Sequence, residues 1–180
     1  MFKNNEVSRR RFFTAALSTA AVAALSDHSM ANNNKMNVKG DQMPTALTPY
    51  LLFDGHCKQA MEFYNSCFGG ELTITKVKDS AAKDFMPAFQ QEKVVNARLR
   101  SGTLEISASD WLRPDETPVR GNTVCLYLSG GTLQQLKTFF GRLSEGAEVT
   151  DPLKEQFFGT YGTLNDKFGV RWMFQADAKA

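Results

Sequence analysis

The chain has 180 residues, a formal net charge of +2 at neutral pH, 22% charged and 42% hydrophobic residues, and three cysteines. That length suits one domain with a leader rather than several folded units. A nearly balanced charge gives no electrostatic footprint for nucleic acid or anionic lipid, and two histidines in the whole chain exclude a His-rich metal site.

Ser8-Arg9-Arg10-Arg11-Phe12-Phe13 precedes an apolar run from Thr14 to Leu25, and small residues Ser29 and Ala31 stand just before Asn32. A positive start, an apolar middle and small residues at the end read as a twin-arginine export signal over residues 1–31. A membrane span needs about 20 apolar residues, and this Ala/Thr/Ser-rich run is shorter; an uncleaved anchor is the rival reading. The expected location is therefore periplasmic or secreted. The translocation machinery is the partner during export, and no stable membrane association follows cleavage. Removing the leader takes Lys3, Arg9, Arg10 and Arg11 with Glu6 and Asp27, so the mature charge is about zero, and it takes His28, leaving His56 as the one histidine.

Residues 32–46 are polar, Asn-rich and without period, as in a flexible linker. The folded domain is expected over 47–177, in two modules, 47–110 and 121–177. Leu51-Leu52-Phe53-Asp54-Gly55, a helix and Phe68-Gly69-Gly70-Glu71-Leu72-Thr73 are echoed by Leu126-Tyr127-Leu128-Ser129-Gly130, a helix and Glu145-Gly146-Ala147-Glu148-Val149-Thr150.

In the first module, Thr48–Phe53 predicts a strand. Cys57, Met61, Tyr64 and Phe68 then mark one face of a helix that stops at Gly69-Gly70. Strands follow over Glu71–Lys78, Val94–Arg100 and Thr103–Ser109. Between the first two of these, Asp79–Lys93, with Phe85, Met86 and Phe89, has no strong period and reads as a lid or a partner contact. The second module repeats the order: Thr123–Leu128, a helix capped by Thr132 and carrying Leu133, Leu136, Phe140 and Leu143, then Glu148–Leu153, Tyr161–Asn165 and Val170–Gln175. The fold class is α+β, with two βαβββ modules and eight strands in an open cupped sheet. Cys57 and Cys67 lie about 15 Å apart along one helix and cannot bridge; with Cys125 they are read as core thiols.

Leu47-Thr48-Pro49-Tyr50-Leu51, Ala60-Met61-Glu62-Phe63-Tyr64, Cys67-Phe68-Gly69-Gly70, Ala97-Arg98-Leu99, Ser109-Asp110 and above all Asp166-Lys167-Phe168-Gly169-Val170-Arg171-Trp172-Met173 resemble the PhnB-like branch of the vicinal oxygen chelate superfamily. This is the glyoxalase, bleomycin resistance and extradiol dioxygenase superfamily. The resemblance implies a glyoxalase/bleomycin resistance fold, a cavity inside the cup and a homodimer. Metal-dependent members hold a divalent ion on four strands, at positions that align here with Pro49, Ser107, Thr123 and Met173. None is a His, Glu or Asp, so no metal and no other cofactor is expected. Many relatives carry a His where this chain has Asn96.

Strand alternation then puts Leu51, Phe53, Asn96, Arg98, Glu105, Cys125, Tyr127 and Arg171 in the cup with those four. It puts Val95, Ala97, Leu99, Leu104, Ile106, Val124, Leu126, Val170, Trp172 and Phe174 on the helix-covered face. The candidate ligand-binding residues are Asn96, Arg98, Glu105, Ser107, Tyr127, Glu155, Phe158 and Arg171. A plain ion pair between Arg98 and Glu105 competes with a ligand role.

His56 reads as a capping or surface residue, and no catalytic residue is assigned because no nucleophilic triad or Gly-rich phosphate loop is present. The leading functional expectation is metal-free binding of a small molecule. Its rivals are a metal-dependent lyase, isomerase or dioxygenase with a displaced site on Glu155, Glu105 and His56 or Asp110, and a non-catalytic interaction module.

Overall fold

The computed structural model describes residues 45–116 and 118–177; the export signal expected over 1–31 and most of the linker expected over 32–46 lie outside the described residues. The first module runs β1 (Tyr50–Phe53), α1 (Cys57–Phe68), β2 (Glu71–Lys76), β3 (Val94–Ser101) and β4 (Leu104–Asp110). The second runs β5 (Leu126–Ser129), α2 (Leu133–Leu143), β6 (Glu148–Gln156), β7 (Gly159–Asn165) and β8 (Arg171–Asp177). The eight strands form two four-stranded sheets, ordered β1-β4-β3-β2 and β5-β8-β7-β6, with β1–β4 and β5–β8 parallel and the other pairs antiparallel. This is the expected α+β fold of two βαβββ modules. The β1 and β5 edges do not pair with each other; clefts lie between them.

Helix α1 buries Cys57, Ala60, Met61, Tyr64, Cys67 and Phe68, the stripe read from the sequence. His56 does not cap it through its side chain. Instead Asp110, at the end of β4, accepts from the Cys57 backbone N–H at 2.9 Å and from the Val94 N–H at 2.7 Å. One carboxylate thus satisfies an orphan donor of the helix and ties the helix start to two strands.

At the far end Gly69 and Gly70 take φ of 71° and 100°. A Cβ on Gly70 would collide with the Arg100 carbonyl oxygen. Gly70→Ala is therefore expected to cost about 2 kcal/mol or more, seen as a lower urea midpoint. Gly69→Ala, where nothing lies within 4 Å of an added Cβ, should cost less.

Helix α2 starts at Thr132, whose hydroxyl accepts from the Gln135 N–H at 3.1 Å. Near its end, Arg142 Nη1 donates to the Cys67 carbonyl at 2.8 Å and ties the two helices together. The core is one cluster shared by both modules. The Tyr64 and Phe68 rings of α1 each lie 5.5 Å from the Trp172 ring of β8, and Phe68 meets Phe139 of α2 at 5.0 Å.

Three placements correct the alternation read from the sequence. Leu51 and Phe53 belong to the helix-covered face, because β1 pairs Leu51 with Ala108 and Phe53 with Asp110 while Phe53 is buried against Phe168. The cup face of β1 is Tyr50 and Leu52, which pair with Ser107 and Ser109. Val124 is not buried: it precedes β5 and is 77% exposed. Cys125 is only partly buried and lines a cleft.

Cys57 is buried, and desolvation followed by the nearby Asp110 charge pushes its thiol up to about 12. Burial and the Asp166 carboxylate likewise raise Tyr64. A group whose acid form is favoured by folding stabilises below its ordinary value and loses that contribution as pH rises through the folded one. Stability is thus expected to fall between about pH 9 and about pH 12, and urea midpoints across that window check it. In the native state near neutral pH, Cys125 should be alkylated well before Cys57 or Cys67.

Candidate functional site

The cup face of the first sheet carries Tyr50 and Leu52 from β1, Ser107 and Glu105 from β4, and Asn96, Arg98 and Arg100 from β3. Period-two alternation puts them there, with Ala97, Leu99, Ile106 and Ala108 buried on the other side. Arg98 donates through Nε to Glu105 Oε1 at 2.7 Å and through Nη2 to the same oxygen, and Arg100 Nε donates to Oε2 at 3.1 Å. The Arg98 hydrogen bonds, with a further one from Arg100, hold the Glu105 carboxyl below the usual range. This cluster lies in solvent, so the ion pairs add little stability. Two guanidinia here already share one carboxylate.

The cup face of the second sheet carries Tyr127, Met173, Gln175, Arg171, Asn165 and Tyr161. Tyr127 Oη donates to Gln175 Oε1 at 3.1 Å. Phe158 stands at the β6–β7 turn, its ring 4.9 Å from Phe157 and 5.9 Å from Tyr161. Glu155 is on the opposite side of the sheet. It pairs with Thr160, which pairs with Ala176, on the face that holds Trp172 and Phe174. The two register shifts between Val149 and Lys154 cancel in phase, so Lys154 shares the face of Tyr161 and Glu155 does not.

The predicted ligand-binding residues thus divide. Asn96, Arg98, Glu105 and Ser107 share one sheet, Tyr127 and Arg171 share the other, Phe158 is at a turn, and Glu155 is elsewhere. The sequence reading omitted Tyr50, Leu52, Arg100 and Gln175, although alternation extended from Ser107 and Arg98 along the first sheet locates the first three, and alternation from Arg171 along β8 locates the fourth.

The donor chemistry around the cup does not fit the superfamily's metal. Ser107 is paired with Tyr50, and Met173 with Tyr127, whereas Pro49 and Thr123 precede β1 and β5. A hydroxyl, a thioether and two phenols make a poor set for a hard or borderline divalent ion. The displaced alternative is not assembled either: Glu105 is engaged by arginines, Glu155 lies on another face, and both Asp110 oxygens accept backbone N–H groups. Among the described residues no three His, Cys, Asp or Glu side chains are grouped to hold a metal.

What the arrangement does offer is concave surface. A cleft of about 760 Å³ runs past Leu47, Pro49, Leu104, Cys125 and Tyr127, and one of about 500 Å³ past Tyr50, Leu52, Trp111, Val124 and Arg171.

A family model described as 3-demethylubiquinone-9 3-methyltransferase matches residues 45–175. The chain belongs to that family. Among solved structures, protein PA1353 from Pseudomonas aeruginosa is 29% identical, with a TM-score of 0.67, covering 76% of this chain and 100% of that one. A putative 3-demethylubiquinone-9 3-methyltransferase, PhnB protein, from Bacillus cereus is 24% identical, with a TM-score of 0.58, covering 73% and 99%. A glyoxylase/bleomycin resistance protein/dioxygenase domain from Frankia sp. EAN1pec, at 16% identity, has a TM-score of 0.53 and covers 76% and 100%. The fold is that of the glyoxalase and vicinal oxygen chelate superfamily. Among the described residues no helix is long and apolar enough to cross a membrane.

Proposed function

We propose that this family member is an exported, metal-free protein that binds a small molecule in its cup and works as a homodimer. The observation that carries the reading is the set of side chains at the centre of the cup: Tyr50, Ser107, Tyr127 and Met173 face it from paired strands. They offer flat apolar surface and hydroxyls to a ligand, and no carboxylate, imidazole or thiolate to a metal.

Elemental analysis of protein purified from the periplasm of cells supplied with mixed divalent metals tests it. The expected result is no metal at a stoichiometric level, together with a rise in melting temperature for members of a small-molecule library. One metal per chain or per dimer overturns the metal-free reading. The export step rests on Arg9 and Arg10: Arg9→Lys with Arg10→Lys is expected to leave the precursor in the cytoplasm, while the wild type yields a shortened periplasmic form. The dimer rests on uncovered apolar groups outside the cup, in the segment between β2 and β3, with Phe85 85% exposed and Phe89 68%. Sedimentation equilibrium is expected to give twice the chain mass, and a monomer at micromolar concentration removes that element of the reading.

A further inference from the structure

Arg171 belongs to two cavities at once. A polar one of about 550 Å³ is lined by Arg120, Asn122, Glu148, Asn165, Lys167 and Arg171. The cleft of about 500 Å³ that holds Tyr50, Leu52, Trp111 and Val124 shares Arg120, Gly121, Gly169 and Arg171 with it. Two guanidinia therefore stand where a polar cavity meets an apolar one.

The other charges there are already engaged. Lys167 is 3.1 Å from Glu145 and 3.9 Å from the centre of the Phe63 ring. Glu148 accepts from Asn165 Nδ2 at 3.1 Å, and the two Asp166 oxygens each accept two hydrogen bonds. Arg98 and Arg100 are held by Glu105 on the first sheet. Among the described residues, Arg120 and Arg171 form no ion pair within 4.0 Å.

Arg120 is also seated. Its guanidinium rests on Gly169, where φ is +78° and an added Cβ would collide with Nη1. The turn beneath is closed by the Gly169 N–H donating to the Asp166 carbonyl at 2.8 Å. The apolar side of the junction is bare: Val119 is 95% exposed and Val124 77%. A guanidinium fork matches an oxyanion, and its five donors have no use for a neutral hydrocarbon.

We propose that the ligand is a small organic anion, with its oxyanion head between Arg120 and Arg171 and its apolar body over Leu52 and Val124. This rests on the small-molecule reading above and names the chemical class that site selects. A head without a body gains only the charged contacts, and a body without a head leaves two guanidinia unmatched.

Isothermal titration of the full chain with 2-naphthoate, neutral 2-naphthamide, 2-naphthyl phosphate and acetate tests it. At least one naphthyl anion is expected to bind about tenfold or more tighter than both the amide and acetate. Arg120→Ala and Arg171→Ala should each weaken that anion about tenfold and the pair about a hundredfold, while Lys58→Ala on the outer surface of α1 changes nothing. The planar and tetrahedral heads distinguish a carboxylate from a phosphate ester, and preference for either supports the proposal. Because Arg171 is in a strand, Arg171→Lys and the melting temperature of each variant separate lost binding from lost fold. Equal binding of amide and anion, or anion affinity unchanged in the Arg120→Ala, Arg171→Ala pair, overturns the anion class and leaves small-molecule binding standing. If no compound in a broad library of anions and neutral molecules binds, both readings fall together.

Discussion

Asp166→Ala is expected to lower the unfolding free energy by about 4 kcal/mol. The side chain is 4% exposed and its two oxygens accept four hydrogen bonds. Oδ1 takes the N–H groups of Phe168 and Val170 at 2.9 and 3.0 Å, which folds the turn before β8. Oδ2 takes Tyr64 Oη at 2.7 Å and Trp172 Nε1 at 2.8 Å, both from fully buried rings. Each buried donor left without a partner costs about 1–3 kcal/mol. The turn amides are near enough to solvent to recover part of that, whereas the phenol and indole are not. Asp166→Asn should fall between wild type and alanine, since it keeps one acceptor and aims an NH₂ group at donors. Tyr64→Phe removes one donor and keeps the acceptor, so about 1 kcal/mol is expected. Urea unfolding with an unchanged slope measures all three. If Asp166→Ala costs no more than Tyr64→Phe, the carboxylate is not the organising centre of this turn.

That buried carboxylate shows where the sequence was legible and where it was not. The Asp-Lys-Phe-Gly-Val-Arg-Trp run carried the resemblance most strongly, yet only the folded chain explains it, because the first acceptor of the Tyr64 hydroxyl lies in the other module. The repeat was readable from residues alone. Tyr50 and Leu126 open equivalent strands, and Cys57 and Leu133 open equivalent helices, at one common spacing. Helical period survives in a single sequence because a buried stripe has to recur every three to four residues.

Strand phase survived less well. Tyr50-Leu51-Leu52-Phe53 has no polar residue to mark a side, and the side is decided by Phe53 meeting Phe168 from the far end of the chain. In β6 the register slips twice between Val149 and Lys154. Each one-residue slip moves every later side chain to the other face, so the two together leave only the stretch around Asp151 out of phase, and Glu155 lies on the helix-covered side, where alternation from Glu148 puts it. Arg120 escaped notice for another reason. It sits in the inter-module linker, with no period to read, and it gains a place only because Gly169 lacks a Cβ.

Trp172→Ala is the second large effect, about 4 kcal/mol, and the shape of the transition matters as much as its midpoint. Trp172 belongs to β8 of the second module, but its ring packs on Tyr64 and Phe68 of α1 in the first, and its indole N–H donates to Asp166. Phe53 and Phe63 of the first module meet Phe168 of the second in the same cluster. Neither module therefore closes its own core: each helix lies on its own sheet, and the α1 aromatics complete the packing around Trp172 of the other. A shared core implies one cooperative transition. Truncating Trp172 should shift the whole of it, with the second-module Tyr161 environment and the α1 helical signal melting together. The Trp172→Ala, Asp166→Ala pair should cost less than the sum of its parts, because both remove one hydrogen bond. Two separated transitions, one keeping α1 helical after β7 and β8 have melted, would mean that each module is stable alone and that the aromatic seam is only a contact between finished halves.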